Sequence, residues 1–73
     1  MTFGEKVKYF RTQRGLTRDE LARLTGLTGG AVSMYETGAR KTPLPVAKLA
    51  LARVLHVKPE DLDDDKEENV TNE

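Results

Sequence analysis

The fold of this chain is decided by residues 17–38, which read TRDELARLTGLTGGAVSMYETG. Residues 17–20 (TRDE) have the order of a capping box, in which a Thr hydroxyl and a Glu carboxylate satisfy backbone N–H groups at a helix start. Gly26 is a typical helix end, and Thr28 is the next candidate N-cap. The stretch therefore predicts two short helices, about 18–24 and 29–36, joined by a tight turn.

Further helices are predicted on both sides of this stretch. Phe3, Val7 and Phe10 recur at spacings of four and three residues, which predicts a helix over 3–14. Residues 46–55 are apolar on most sides and follow a proline, which predicts a helix buried on more than one face. Residues 58–62 indicate a short fifth helix. Because no alternating β pattern occurs, we expect an all-α fold of five helices around one core.

Composition limits the kinds of site that the chain can carry. The 73 residues contain no Cys and one His, which argues against disulfides, thiolate metal sites and a histidine metal cage. We therefore expect no metal and no cofactor. No apolar run approaches the roughly 18 residues of a membrane span. Together with the absence of a secretory signal, this predicts a cytoplasmic protein without a membrane partner.

The net charge of zero conceals a strong asymmetry along the chain. Residues 1–59 contain eleven Lys and Arg against four acids, a charge of +7, whereas residues 60–73 contain one Lys and eight acids, a charge of −7. A basic body of this kind attracts polyanions. The acidic end has few apolar residues, which is typical of disorder. We expect a folded domain over residues 1–63 and a disordered acidic tail over residues 64–73.

The order of small, apolar and capping residues resembles the Cro/C1-type (lambdoid phage repressor-like) family. The residues that carry this resemblance are Gly15-Leu16-Thr17, Leu21-Ala22, Gly26, Val32-Ser33, Tyr35-Glu36, Gly38, Leu51-Ala52, Leu55, Val57 and Leu62. The resemblance covers about residues 3–62. It implies a lambda-repressor-like DNA-binding domain, with a helix-turn-helix whose second helix enters the major groove.

The resemblance also implies a set of DNA contacts. Phosphate contacts are expected from Arg18, which stands where the family usually has Gln, and from Arg40 and Lys41 in the following loop. The expected groove-facing positions are Thr28, Gly29, Gly30, Ser33, Met34 and Thr37. Two of these are glycines without a side chain to contact a base. Either the helix starts loosely with little direct readout, or its bare backbone approaches DNA so that neighbouring side chains reach the bases.

Two structural expectations follow from the same resemblance. Arg11 and Glu36 are expected to form an ion pair that fixes the recognition helix on the first helix. Val57, Pro59 and Leu62, together with the surplus apolar surface of the fourth helix, are expected to form a homodimer interface. Lys48 departs from the family pattern, which often has an apolar residue at that position.

These observations predict a sequence-specific regulator of transcription that binds double-stranded DNA as a homodimer and represses by occupying a promoter. The alternative is a protein-interaction module, an antitoxin or antirepressor, on the same scaffold. An enzyme is not expected, because residues 26–30 (GLTGG) lack the Lys-Ser/Thr of a phosphate loop and no nucleophile–base pair is present. No small-molecule ligand is expected. The acidic tail is either a solubilising segment or a competitor of DNA for the basic face.

Overall fold

The structure, a computed structural model, describes residues 1–65 and is all-helical over that range. The elements are α1 (Phe3–Gln13), α2 (Arg18–Thr25), α3 (Gly29–Thr37) and α4 (Pro45–Leu55), followed by a 3₁₀ turn at Pro59–Leu62. The predicted all-α class is confirmed. The predicted fifth helix is a single 3₁₀ turn, since only four residues adopt helical geometry there.

The helix starts follow the capping patterns in the sequence. The Thr17 hydroxyl accepts a hydrogen bond from the Glu20 backbone N–H at 3.0 Å, and the Glu20 carboxylate accepts one from the Thr17 N–H at 2.8 Å. The Thr28 hydroxyl accepts from the Ala31 N–H at 3.0 Å. Gly26 ends α2 with φ 77°, a left-handed conformation that glycine adopts at little cost. These local signals fix where α2 ends and α3 begins.

The core lies between α1, α3 and α4, with α2 packed against α3 and α4. Its buried apolar members are Phe3, Val7, Leu21, Ala22, Val32, Tyr35, Ala47, Leu51, Ala52, Leu55 and Leu62. The Phe3 and Tyr35 rings meet edge to face, with centroids 5.5 Å apart. Leu24 lies three residues after Leu21 but is 59 % exposed, because α2 packs through the side that carries Leu21 and Ala22.

Helices α1 and α3 approach each other very closely at Gly4. A Cβ atom at Gly4 would lie 1.9 Å from the backbone carbonyl oxygen of Tyr35, so no side chain fits there. No pattern in the sequence indicates that Gly4 makes this contact. The close approach sets the position of α3 relative to the rest of the domain.

The first residues assigned to the acidic tail contact α1. The Asp65 carboxylate lies 2.6 Å from the terminal amine of Met1 and 2.7 Å from Lys6 Nζ. The Asp64 carboxylate accepts a hydrogen bond from the Phe3 backbone N–H. The two residues that follow the predicted boundary at residue 63 therefore contact the folded domain. The rest of the predicted tail, residues 66–73, lies outside the described residues.

Within residues 1–65, no helix is both long and apolar enough to cross a membrane. Over the same range, no group of three or more His, Cys, Asp or Glu side chains could hold a metal ion.

Candidate nucleic-acid interface

Helix α3 has a buried side and an outward side. Val32, Tyr35 and Glu36 are buried against the domain. The outward positions are Thr28, Gly30, Met34 and Thr37, which are exposed, and Gly29 and Ser33, which are half-buried. The structure thus brings the six positions predicted on the recognition helix to its outward side or edge.

A buried carboxylate clamps α3 to α1. The Glu36 side chain is fully buried and accepts hydrogen bonds from Arg11 Nε at 2.6 Å and Arg11 Nη2 at 3.0 Å. Arg11 Nη1 also donates to the Leu16 carbonyl at 2.8 Å, so the same guanidinium holds the start of the α1–α2 connection. The hydrogen bond to Glu36 raises the pKa of Arg11. The Arg11–Glu36 pair therefore holds α3 through its buried side.

Arg18 joins this clamp from α2. Its Nε donates to Glu36 Oε1 at 3.0 Å and its Nη1 to Ser33 Oγ at 3.4 Å, while its side chain stays 41 % exposed. Two guanidinium groups therefore share one carboxylate, which leaves a net positive charge at the edge of α3. The sequence predicted a phosphate contact for Arg18, but no local pattern reveals its hydrogen bond to Glu36, 18 residues away.

Arg40 and Lys41 lie in the exposed loop that follows α3. The Arg40 backbone N–H donates to the Met34 carbonyl at 3.1 Å, which ties the loop to the last turn of α3. Its guanidinium carbon lies 5.7 Å from the centroid of the Tyr35 ring, within the range of a cation–π contact. The loop therefore holds a cation beside the C-terminal end of α3.

The two glycines at the start of α3 differ in their surroundings. A Cβ atom at Gly29 would lie 2.8 Å from Asp19 Oδ1 of α2, whereas a Cβ at Gly30 would meet only the Thr28 hydroxyl, at 3.9 Å. The Asp19 carboxylate thus occupies the space that a side chain at position 29 would enter. Sequence reasoning took Asp19 only as part of a capping box, and no pattern in the sequence reveals the contact.

The predicted dimer residues need one correction. Leu62 is 0 % exposed and belongs to the core, so it is unable to contact a second chain, and Val57 and Pro59 are half-buried. The structure instead exposes apolar side chains along the start of α4: Leu44 is 66 % exposed, Val46 77 % and Leu49 53 %. The surplus of apolar residues in this helix was the available signal, but only the packing shows which of them face outward.

Residues 2–64 match the family model described as "Helix-turn-helix domain". The chain belongs to the helix-turn-helix domain family, and its predicted resemblance to Cro/C1-type proteins is confirmed.

Individual proteins show the same similarity. The chain is 34 % identical over 61 residues to the HTH-type transcriptional repressor RghR of Bacillus subtilis (strain 168), covering 84 % of this chain and 45 % of that protein. It spans less than half the length of the curated relatives that it matches. Among solved structures, the restriction-modification controller protein C.AhdI from Aeromonas hydrophila is 37 % identical, with a TM-score of 0.77 over 82 % of this chain and 89 % of that one. The P22 c2 repressor, at 24 % identity and a TM-score of 0.81 over 86 % and 94 %, shares the fold.

Proposed function

We propose that this protein is a sequence-specific, double-stranded DNA-binding regulator of transcription, which acts in the cytoplasm as a dimer and represses by occupying a promoter. The observation that carries the proposal is that α3 is held on its inner side and exposed on its outer side. Its inner side is clamped through the buried Glu36, while over residues 1–65 its outward side is covered by no other helix. A rigid helix that projects in this way fits the major groove, which is about 12 Å wide.

The charges around α3 support the same function. Arg40 and Lys41 are exposed at its C-terminal end, and the Arg18 guanidinium lies at its edge. Cations on both sides of a groove-binding helix are placed to contact the phosphates that border the groove. Because Gly29 and Gly30 offer no side chain, we expect phosphate contacts and DNA shape to supply much of the affinity. Thr28, Ser33, Met34 and Thr37 supply the direct contacts of α3.

The relatives support a regulator in particular. RghR is named a transcriptional repressor and C.AhdI a restriction-modification controller protein. The similarity to both covers more than four-fifths of this chain and includes α2 and α3. We infer repression from the first of these names.

A second copy of the chain is the proposed occupant of the exposed apolar surface formed by Leu44, Val46 and Leu49. One helix in one groove contacts only a few base pairs, and a dimer doubles the site by binding half-sites about one helical turn apart. Leu44 is the N-cap residue of α4 and comes three residues after Lys41 of the DNA-facing loop. The apolar surface therefore begins beside the loop that carries Arg40 and Lys41.

The proposal is tested by selecting bound sequences from a pool of random duplexes. We expect a two-fold symmetric consensus with half-sites about 10 base pairs apart. Binding to that site should weaken steeply as salt increases, since phosphate contacts release counterions. The Arg40→Gln, Lys41→Gln double variant removes two cations from each subunit and should lower the salt slope of the dimer by about four. Lys58→Gln, at an exposed site beside the 3₁₀ turn, serves as the control. A pool with no enriched sequence would overturn sequence-specific binding.

One observation favours a second candidate, a protein-interaction module. The glycines at the start of α3 leave two reading positions without side chains. If the chain shows no retardation of random duplex DNA at low salt and micromolar protein, this second candidate replaces the first.

A further inference from the structure

The carboxylate of Asp19 stands where a base-reading side chain of α3 would begin. A Cβ atom built on Gly29 would lie 2.8 Å from Asp19 Oδ1 and 4.0 Å from its Cγ. Asp19 belongs to α2, yet the absence of a side chain at Gly29 lets its carboxylate reach the first residue of α3. Both Asp19 and the neighbouring Gly30 are exposed. An anionic group therefore lies at the end of the helix that the proposed function directs into DNA.

The Asp19 carboxylate is not paired with Arg18, its neighbour in the chain. Arg18 precedes it in the chain, but the Arg18 guanidinium is engaged with Glu36 at 3.0 Å and with Ser33 at 3.4 Å. Among residues 1–65, no ion pair engages Asp19 within 4 Å. Its oxygens thus remain available as hydrogen-bond acceptors toward a ligand.

A carboxylate near DNA is tolerated only where a donor faces it. In the major groove the donors are the exocyclic amino groups, N4 of cytosine and N6 of adenine, whereas guanine O6 and N7 and thymine O4 are acceptors. A charged acceptor at the tip of α3 therefore selects a base with an amino group and disfavours the others. Removing the carboxylate removes both effects.

We infer that Asp19 is a specificity-determining residue, which accepts a hydrogen bond from the exocyclic amino group of one base in each half-site. This inference rests on the proposed function. It assigns to α2 a base contact that α3 is unable to make, because α3 has no side chain at position 29. The absence of a side chain at Gly29 leaves the space that the Asp19 carboxylate occupies. Asp and Glu most often accept from cytosine N4 among the bases, so cytosine is the expected base.

The experiment compares sequence selection from random duplexes for the wild type and four variants. Asp19→Ala should lose the preference at one position of each half-site, a preference of about 10-fold in the wild type. Gly29→Ala should relax the same position, because its methyl group forces the carboxylate to rotate away. The double variant should be no more relaxed than either single variant. Glu60→Ala is the matched control, since it removes an exposed carboxylate from the 3₁₀ turn and leaves α2 and α3 unchanged.

A fifth variant, Asp19→Asn, identifies the contact as a base contact. An amide pairs best with adenine, through N6 and N7, so the preference at that one position should move to adenine. If the wild type already selects adenine there, the amino group read is N6 and the inference stands with adenine as its base. Thermal unfolding of each variant measures its stability, and we expect the changes in base preference to be independent of the changes in stability.

The outcomes separate this inference from the proposed function. A wild type that enriches no sequence overturns the proposed function. A wild type with a clear consensus that Asp19→Ala and Gly29→Ala leave unchanged at every position overturns the role of Asp19 alone. Uniformly tighter binding of Asp19→Ala to all sequences, without a change of preference, means repulsion by phosphates only and also overturns it.

Discussion

Glu36 holds together three helices through one buried carboxylate. Arg11 of α1 and Arg18 of α2 both donate to it, and its side chain has no exposure to solvent. A buried charge is costly unless it is paired and hydrogen-bonded, which explains why the site has two cations and not one. The inner cation, Arg11, is itself buried, so the two arginines contribute differently.

This difference yields a prediction for Glu36→Gln. The variant keeps the shape of the side chain but leaves the buried Arg11 guanidinium without a counter-charge, which should lower the free energy of unfolding by about 3–5 kcal/mol. Arg18→Gln removes the half-exposed partner and should cost less than about 1 kcal/mol. Urea denaturation of both variants measures the two losses. Equal losses would contradict the assignment of Arg11 as the main partner.

His56 ends α4 in a left-handed conformation, with φ 59° and ψ 43°. Residues with a Cβ atom are strained there by about 1–2 kcal/mol, part of which glycine recovers. We therefore expect His56→Gly to raise the free energy of unfolding by up to about 1 kcal/mol, even though glycine is costly in most positions. Arg53→Gly, within the same helix, should have the opposite sign and cost about 1 kcal/mol. Thermal unfolding of the two variants measures both changes in stability. A His56→Gly variant that is less stable than the wild type would disprove the strain at His56.

At the scale of elements, the contact between α1 and α3 depends on a missing side chain. Gly4→Ala would place a methyl group 1.9 Å from the Tyr35 carbonyl oxygen, so the two helices must separate. Overpacking of this kind should cost about 1–3 kcal/mol and displace α3. Gly30→Ala adds the same group within α3, where it would meet only the Thr28 hydroxyl at 3.9 Å, and should stabilise the protein by up to about 1 kcal/mol. Denaturant midpoints of the two variants should therefore shift in opposite directions.

At the scale of the whole molecule, the exposed surface formed by Leu44, Val46 and Leu49 predicts self-association. The Val46→Gln, Leu49→Gln double variant should weaken the dimer at least tenfold, because it removes apolar area from the proposed interface while leaving the core intact. Leu24→Gln changes a similarly exposed leucine on α2 and is the control. Sedimentation equilibrium measures the association. A dimer that withstands the double variant would place the interface elsewhere.

The two ends of the described chain are joined by Asp65, and this contact depends on pH. Hydrogen bonds from Lys6 and from the terminal amine lower the pKa of Asp65 from 3.8 to about 2. Because the pKa is lower in the folded protein, the contact contributes its full stability above about pH 4 and loses it as the pH falls through 2. An NMR titration of the Asp65 carboxyl carbon should show the low midpoint. Lys6→Gln should raise it toward the ordinary value, and a wild-type midpoint near 4 would rule out the contact.

The helices themselves were predictable, because their signals are local. Capping boxes at Thr2 and Thr17, the N-cap at Thr28 and the apolar spacings of α1 and α4 each involve residues within a few positions of one another. The bounds of α2 and α3 were correct to within one residue for this reason. The pairing of Arg11 with Glu36, 25 residues apart, came from the family resemblance and not from any local pattern.

Contacts between residues far apart in the chain were decided only by the tertiary structure. The spacing of Leu21 and Leu24 does not show which side of a two-turn helix packs against its neighbours. The apolar character of Leu62 does not show whether it packs inward or toward a partner. The access of Asp19 to the space above Gly29 and the approach of Gly4 to Tyr35 depend on how closely helices pack. Sequence determined the elements through short-range hydrogen bonding and periodicity; packing of side chains against distant backbone determined which residues the interface presents.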